Sequence, residues 1–284
     1  MSSPAGPGNG LPVRMPRPRQ PGRHRRPEPL SAPEGAPALV LAVPGPSCAS
    51  ARALAEELVS LVRADLPGLD ARFGFLEAAG DEPDATLDQV LAQAPDAVVV
   101  PLLAGPDAEF LGRFRQVLTE SQSSARLTEV LGPHPLLAEA LHVRLSEAGL
   151  ARADRARLFT VATAADGIIL AVRGGEEALE AAGITGVLLA ARLAVPVMTA
   201  ALDVEGSVRH VAGQLRSSGA QRLAVAPCVI GPEVSPELLV GASTEAECAG
   251  AEALGAYSSV GKLVLNRYTS ALGLDTAQLR APAR

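Results

Sequence analysis

Four histidines and three cysteines are the side chains best suited to bind a metal or attack a substrate, and their placement limits what they can do. Cys48, Cys228 and Cys248 are odd in number and have no C-x-x-C spacing. Neither a disulfide framework nor a thiolate metal cluster is expected, and a reducing compartment fits. Cys48 precedes a helical pattern, where it reads either as a thiol acidified by a helix N-terminus or as a small apolar filler. His24 lies in a Pro/Arg-rich segment, and His142 and His210 fall in helical stretches and are expected at the surface. His134 sits in a loop entering a helix, where capping or loop packing is its common role. No G-x-S-x-G places a serine for hydrolysis, and neither a G-x-x-x-x-G-K-[ST] loop nor a G-x-G-x-x-G turn follows a strand. Hydrolase, phosphate and dinucleotide chemistry therefore have no support.

The elements that must position any site are short apolar runs alternating with helical patterns. The chain has 284 residues, 48% of them hydrophobic and only 2% aromatic, so its core must be built from Ala, Val and Leu. That suits buried parallel strands flanked by helices. Ala38–Val43 reads as a strand, followed by a Pro44-Gly45-Pro46-Ser47 turn and a helix with Ser50 as its N-cap. Strands at 71–76 and 97–103, a short one at 127–131, and helices at 86–93, 107–119 and 135–147 complete a first half. In the second half Leu158–Ala162 answers the first strand and Pro196–Leu202 the second, which sets Asp203 against Glu77. Leu223–Pro232 answers Val98–Pro106, with Pro227 opposite Pro101, and Leu254-Gly255 answers Leu131-Gly132. Matched landmarks in one order predict a repeated α/β unit with parallel sheets. Ligands of such sheets bind beyond the carboxyl ends of the strands, in a cleft between the halves.

Residues 1–37 carry six arginines against Glu28 and Glu34, amid many Pro and Gly, and are expected to be a disordered tail. Arg25-Arg26 is followed by no apolar run, so the tail does not read as an export signal. Residues 275–284 are expected to be a flexible C-terminus. The formal charge of −6 and the lack of a basic-aromatic surface pattern argue against a nucleic-acid partner. Gly183–Leu202, the longest apolar stretch, is broken by Arg192 and Pro196 and reads as a buried helix running into a strand, not a membrane span.

The Gly-containing turn after the first strand, Phe75-Leu76-Glu77, Val98-Val99-Val100-Pro101-Leu102-Leu103 and Leu131-Gly132-Pro133-His134-Pro135-Leu136-Leu137 stand in one order. That order resembles the long, two-half members of the sirohydrochlorin and cobalt chelatase family. The resemblance implies two similar chelatase-like half-domains, 38–150 and 151–274, each a parallel sheet flanked by helices, with a cleft between them. It implies a cytoplasmic lyase of siroheme or cobalamin biosynthesis that inserts Fe²⁺ or Co²⁺ into a tetrapyrrole, without an organic cofactor, as a monomer or weak homo-oligomer. The family's first histidine precedes the Gly of the first turn; here that position is Pro44, which neither ligates a metal nor takes a proton. The position of its second histidine, counted without gaps from Pro101, is Glu109, and the F-L-E carboxylate is Glu77. The resemblance thus gives Glu77 and Glu109 as metal ligands and proton acceptors, with Asp107 as a further ligand and Gly45, Ser47 and His134 lining the substrate cleft. Retention of the fold and cleft without turnover, as a tetrapyrrole- or metal-binding paralogue, is the alternative.

Overall fold

A strand whose every position is apolar belongs in the middle of a sheet covered on both faces, because successive side chains point to opposite sides. Four strands meet that condition. β1 (Leu39–Pro46) is buried up to Gly45, and β3 (Val98–Pro101), β5 (Gly167–Val172) and β7 (Leu223–Pro227) are buried throughout. The computed structural model describes residues 31–79, 85–151 and 164–274. Within it, β1 and β3 are joined by β2 (Ala71–Glu77) and β4 (Arg126–Leu127) in a parallel sheet of order β2-β1-β3-β4. β5 and β7 are joined by β6 (Val197–Ala201) and β8 (Ala249–Gly250) in a second parallel sheet of order β6-β5-β7-β8. Each strand is followed by a helix. These are α1 (Ala49–Asp65), α2 (Leu87–Gln93), α3 (Ala108–Glu120) and α4 (Pro135–Glu147) in the first half, and α5 (Gly175–Leu193), α6 (Ser207–Ser217), α7 (Pro236–Glu245) and α8 (Ser258–Leu272) in the second. The fold is therefore α/β, with two similar half-domains.

The register equates positions in the two halves. Ala42 pairs with Gly74 and Pro101, and Ala171 pairs with Ala200 and Pro227. Glu77 and Asp203 each lie three residues beyond the second-strand partner, as read from the sequence. The first strand of the second half is corrected by the same register: it is Gly167–Val172, whereas Leu158–Ala162 lies outside the described residues. The physical reason is burial. Gly167–Val172 has no polar side chain, as a strand hydrogen-bonded on both edges and covered on both faces requires. The N-cap of α1 is Cys48 in place of Ser50. Gly183–Leu202 does run from a helix into a strand, but the helix is buried on one face only, with Ile184 and Val187 exposed on the other, and no helix among the described residues is long and apolar enough to cross a membrane.

One core joins the halves. Leu58 and Val62 of α1, Leu137 and Leu141 of α4, Leu189 of α5 and Val260, Val264 and Tyr268 of α8 belong to a single buried cluster. Tyr268 is fully buried, and its hydroxyl donates to Pro37 O at 2.7 Å. Residues 1–30 of the Arg/Pro-rich segment and residues 275–284 lie outside the described residues, while Ala32 N donates to Pro67 O at 3.0 Å. Two arginines cross between the halves at matching places. Arg144 of α4 donates to Leu254 O at 2.8 Å, lies 3.5 Å from Glu252 and stacks 4.7 Å from the Tyr257 ring centroid. Arg267 of α8 donates to Leu131 O at 3.4 Å and to Glu129 at 3.0 Å. Truncating Arg144 removes the shorter carbonyl contact and the ring contact together. Arg144→Ala should cost about 1–2 kcal/mol and lower the thermal midpoint by several degrees. Arg267→Ala should cost less. Calorimetric melting checks both, and an unchanged midpoint for Arg144→Ala would remove the arginine from the junction's energetics.

Candidate functional site

The carboxyl ends of β1 and β5 turn toward each other's half. Gly45 lies in the irregular stretch of β1 between Val43 and Pro46 with φ +78°, and a Cβ placed on it would lie 3.3 Å from Pro232 O. Gly174 follows β5 with φ +119°, and a Cβ there would lie 2.3 Å from Pro106 O. Each first-strand turn thus packs on the Gly-Pro turn that follows the third strand of the opposite half. The local sequences Leu41-Ala42-Val43-Pro44-Gly45 and Leu170-Ala171-Val172-Arg173-Gly174 match except at one position. The position of Pro44 in the first half is Arg173 in the second.

Arg173 gathers two of the three sequence-derived metal ligands. Its Nη1 donates to Asp107 Oδ2 in a very short contact and its Nη2 donates to Glu109 Oε2 at 2.7 Å. The guanidinium also lies over the Phe110 ring, 4.4 Å from its centroid. Asp107 is the N-cap of α3, its Oδ1 accepting from Phe110 N at 3.1 Å, which fixes one oxygen and leaves the other for the arginine. Its side chain is 5% exposed, against 64% for Glu109. Glu77, at the end of β2, accepts from Arg113 of α3 at 2.5 Å. The three carboxylates therefore meet α3 and its cationic partners at the carboxyl edge of the first sheet. Among the described residues, no group of three or more His, Cys, Asp or Glu side chains is arranged to hold a metal ion.

The residues expected to line the substrate cleft have structural partners. Ser47 is buried and its hydroxyl joins the turn after β1 to the chain after β2, donating to Ala79 O at 3.1 Å and accepting from Ala79 N at 3.0 Å. His134 caps α4, Nδ1 accepting from Leu136 N at 3.1 Å, so its proton is assigned to Nε2. Burial, and then the positive charge of Arg267, hold its pKa below the usual histidine range. His142 departs from its expected surface position. It is 4% exposed, and its Nδ1 accepts from Arg192 Nε at 2.8 Å, because α4 packs against α5 and the ring falls between them.

Sequence reasoning missed Arg173, Arg113 and Glu233. Glu233 stands six residues beyond Pro227, as Asp107 stands six beyond Pro101. Its carboxylate has turned back on its own loop, accepting from Ile230 N and, at 2.7 Å, from Gly231 N. Burial pushes its pKa up to about 7, opposed by those backbone N–H groups and by the charge of Arg173. Cys228 is buried beside it and its thiol is pushed up to about 12, chiefly by burial, which makes it an inert packing residue. Between the halves, Ala104, Gly105, Pro133, Val172, Arg173 and Cys228 help line a space of only about 10 Å³, room for about one water molecule. A larger hollow of about 340 Å³, bordered by Arg63, Ala71, Arg72 and Phe73, lies at the amino end of β2, away from the carboxylates.

Residues 38–148 match the family model described as CbiX. No curated protein matches the sequence. Among solved structures, the sirohydrochlorin chelatase SirB of Bacillus subtilis subspecies spizizenii, determined in complex with cobalt, superposes with a TM-score of 0.57 at 14% identity, over 86% of this chain and 98% of that one. CbiX of denitrifying bacteria, the terminal enzyme for biosynthesis of siroheme there, gives 0.56 at 16% identity, over 82% and 99%. A multi-domain protein of Deinococcus radiodurans with structural similarity to chelatases gives 0.59 at 16% identity, over 86% of this chain and 56% of its own length. This chain therefore spans little more than half of the Deinococcus protein. At these identities the likeness is one of fold.

Proposed function

We propose that this chain, whose residues 38–148 match the family model described as CbiX, is a sirohydrochlorin chelatase-like protein acting on a divalent metal and a tetrapyrrole. The observation that carries the reading is the convergence of Asp107 and Glu109 on one cation, Arg173, at the carboxyl edge of the first sheet, with Glu77 tied to the same helix through Arg113. Metal insertion needs oxygen or nitrogen ligands that replace water on the ion and groups that accept two pyrrole protons. Glu77, Asp107 and Glu109 supply ligands of the first kind and acceptors of the second. The metal is a substrate, Fe²⁺ or Co²⁺, and the oxygen set discriminates between them less than imidazole would. The setting is siroheme or cobalamin biosynthesis in the cytoplasm, with neither an organic cofactor nor a nucleic-acid partner.

A second reading, binding without turnover, is favoured by one residue: Pro44 offers no ligand and no base where the first turn of the first half faces the junction. One experiment separates the two. Wild-type protein titrated with Co²⁺ by calorimetry should bind the ion, and Glu109→Ala and Glu77→Ala should each weaken binding about tenfold, roughly 1.4 kcal/mol, without lowering the melting midpoint. Incubation with sirohydrochlorin and Co²⁺ should then change the macrocycle absorption faster than a protein-free control. Binding with no acceleration over the control selects the second reading, and no Co²⁺ binding by wild type overturns the chelatase reading and leaves binding of the tetrapyrrole alone.

A further inference from the structure

Arg173 is a cation already seated where the proposed reading places a metal. One guanidinium nitrogen faces Asp107 and another Glu109, and its side chain is 19% exposed. A divalent ion on the same two oxygens would stand within a few ångströms of a positive group sharing a poorly solvated site, so the two cations exclude each other. We propose that Arg173 is the resident cation of this carboxylate pair, and that a metal substrate reaches Asp107 and Glu109 only by displacing its guanidinium. The inference rests on the reading that these carboxylates take the metal.

The surroundings permit such an exchange. Glu109 is largely open to solvent, so the guanidinium can leave on that side. Asp107 keeps its bond from Phe110 N whether or not the arginine is present, so α3 stays capped. Phe110 supplies a flat face that holds the seated guanidinium but makes no directional demand on a metal. Selectivity follows: only an ion that binds carboxylate strongly enough to replace a two-pronged arginine gains entry. Arg173 occupies the second-half position matched to Pro44, so the first turn of one half lends its side chain to the carboxylates of the other.

The test uses the full chain and Co²⁺ followed by calorimetry. Arg173→Ala should bind Co²⁺ at least about tenfold more tightly than wild type, and adding Glu109→Ala should abolish the gain. Arg173→Gln, which keeps a donor but no charge, should show most of the same gain and decides the matter if the alanine variant does not fold, as judged by circular dichroism. Variants that bind while wild type does not would support the resident cation and overturn wild-type metal handling. Wild type that binds, with folded variants binding no more tightly, would overturn the resident cation and leave the metal reading in place. No binding by any of the proteins overturns both.

Discussion

Gly174→Ala should cost roughly 3 kcal/mol or more and lower the urea midpoint accordingly. Two effects act together. The residue has φ +119°, a conformation that L side chains rarely adopt. A Cβ would also lie 2.3 Å from Pro106 O and 3.1 Å from Asp107 Cα, and both obstacles are backbone of the opposite half. Nothing flexible can give way, so either the turn after β5 or the one before α3 must move. Either movement displaces Arg173 relative to Asp107 and Glu109. Gly45→Ala is the internal control. Its φ is +78° and its Cβ would stand 3.3 Å from Pro232 O, so the cost should be about 1–2 kcal/mol. Equal urea midpoints for the two variants would show that the two turns do not carry the junction as described.

The fold was legible because buried central strands have few ways of being written. Val98–Pro101 and Leu223–Pro227 are apolar at every position, and their shared proline falls at the same place in the register, opposite Ala42 and Ala171. The family resemblance drew on the same features. What sequence reasoning missed follows from one misplaced strand. With Leu158–Ala162 set against β1, the turn that holds Arg173 had no counterpart in the first half. With Gly167–Val172 in that place, L-A-V-P-G and L-A-V-R-G align and the exchange of Pro44 for Arg173 stands out. The pairing of Arg173 with Asp107 and Glu109 was not legible even so, because it spans more than 60 residues and depends on how the halves dock. His142 was misread for a related reason. Polarity suggested a surface, but α5 covers that face of α4 and Arg192 supplies the hydrogen bond a buried ring needs.

Glu233 should give the protein a component of pH-dependent stability that a single substitution removes. Its carboxyl is pushed from 4.5 to about 7 mainly by burial, so the folded state holds a proton there that the unfolded state has released. A raised carboxyl favours folding most fully below the unfolded value. That contribution therefore fades as pH rises from 4.5 to about 7 and is gone above that. The shift corresponds to roughly 3 kcal/mol across the window. Glu233→Gln removes the titration. Its amide oxygen can still accept from Ile230 N or Gly231 N, but its NH₂ cannot accept from the other, so at pH 4.5 the variant should be less stable than wild type by about 1–3 kcal/mol. At pH 8, where wild type carries a desolvated charge, the gap should close or reverse. Urea melts of both proteins at the two pH values give the result as a difference, in which every other titrating group cancels. Parallel pH dependence in the two proteins would mean that Glu233 keeps an ordinary carboxyl pKa. The loop from Ile230 to Glu233, against which Gly45 packs, would then be held by a side chain half-ionised at pH 4.5 and ionised at pH 8.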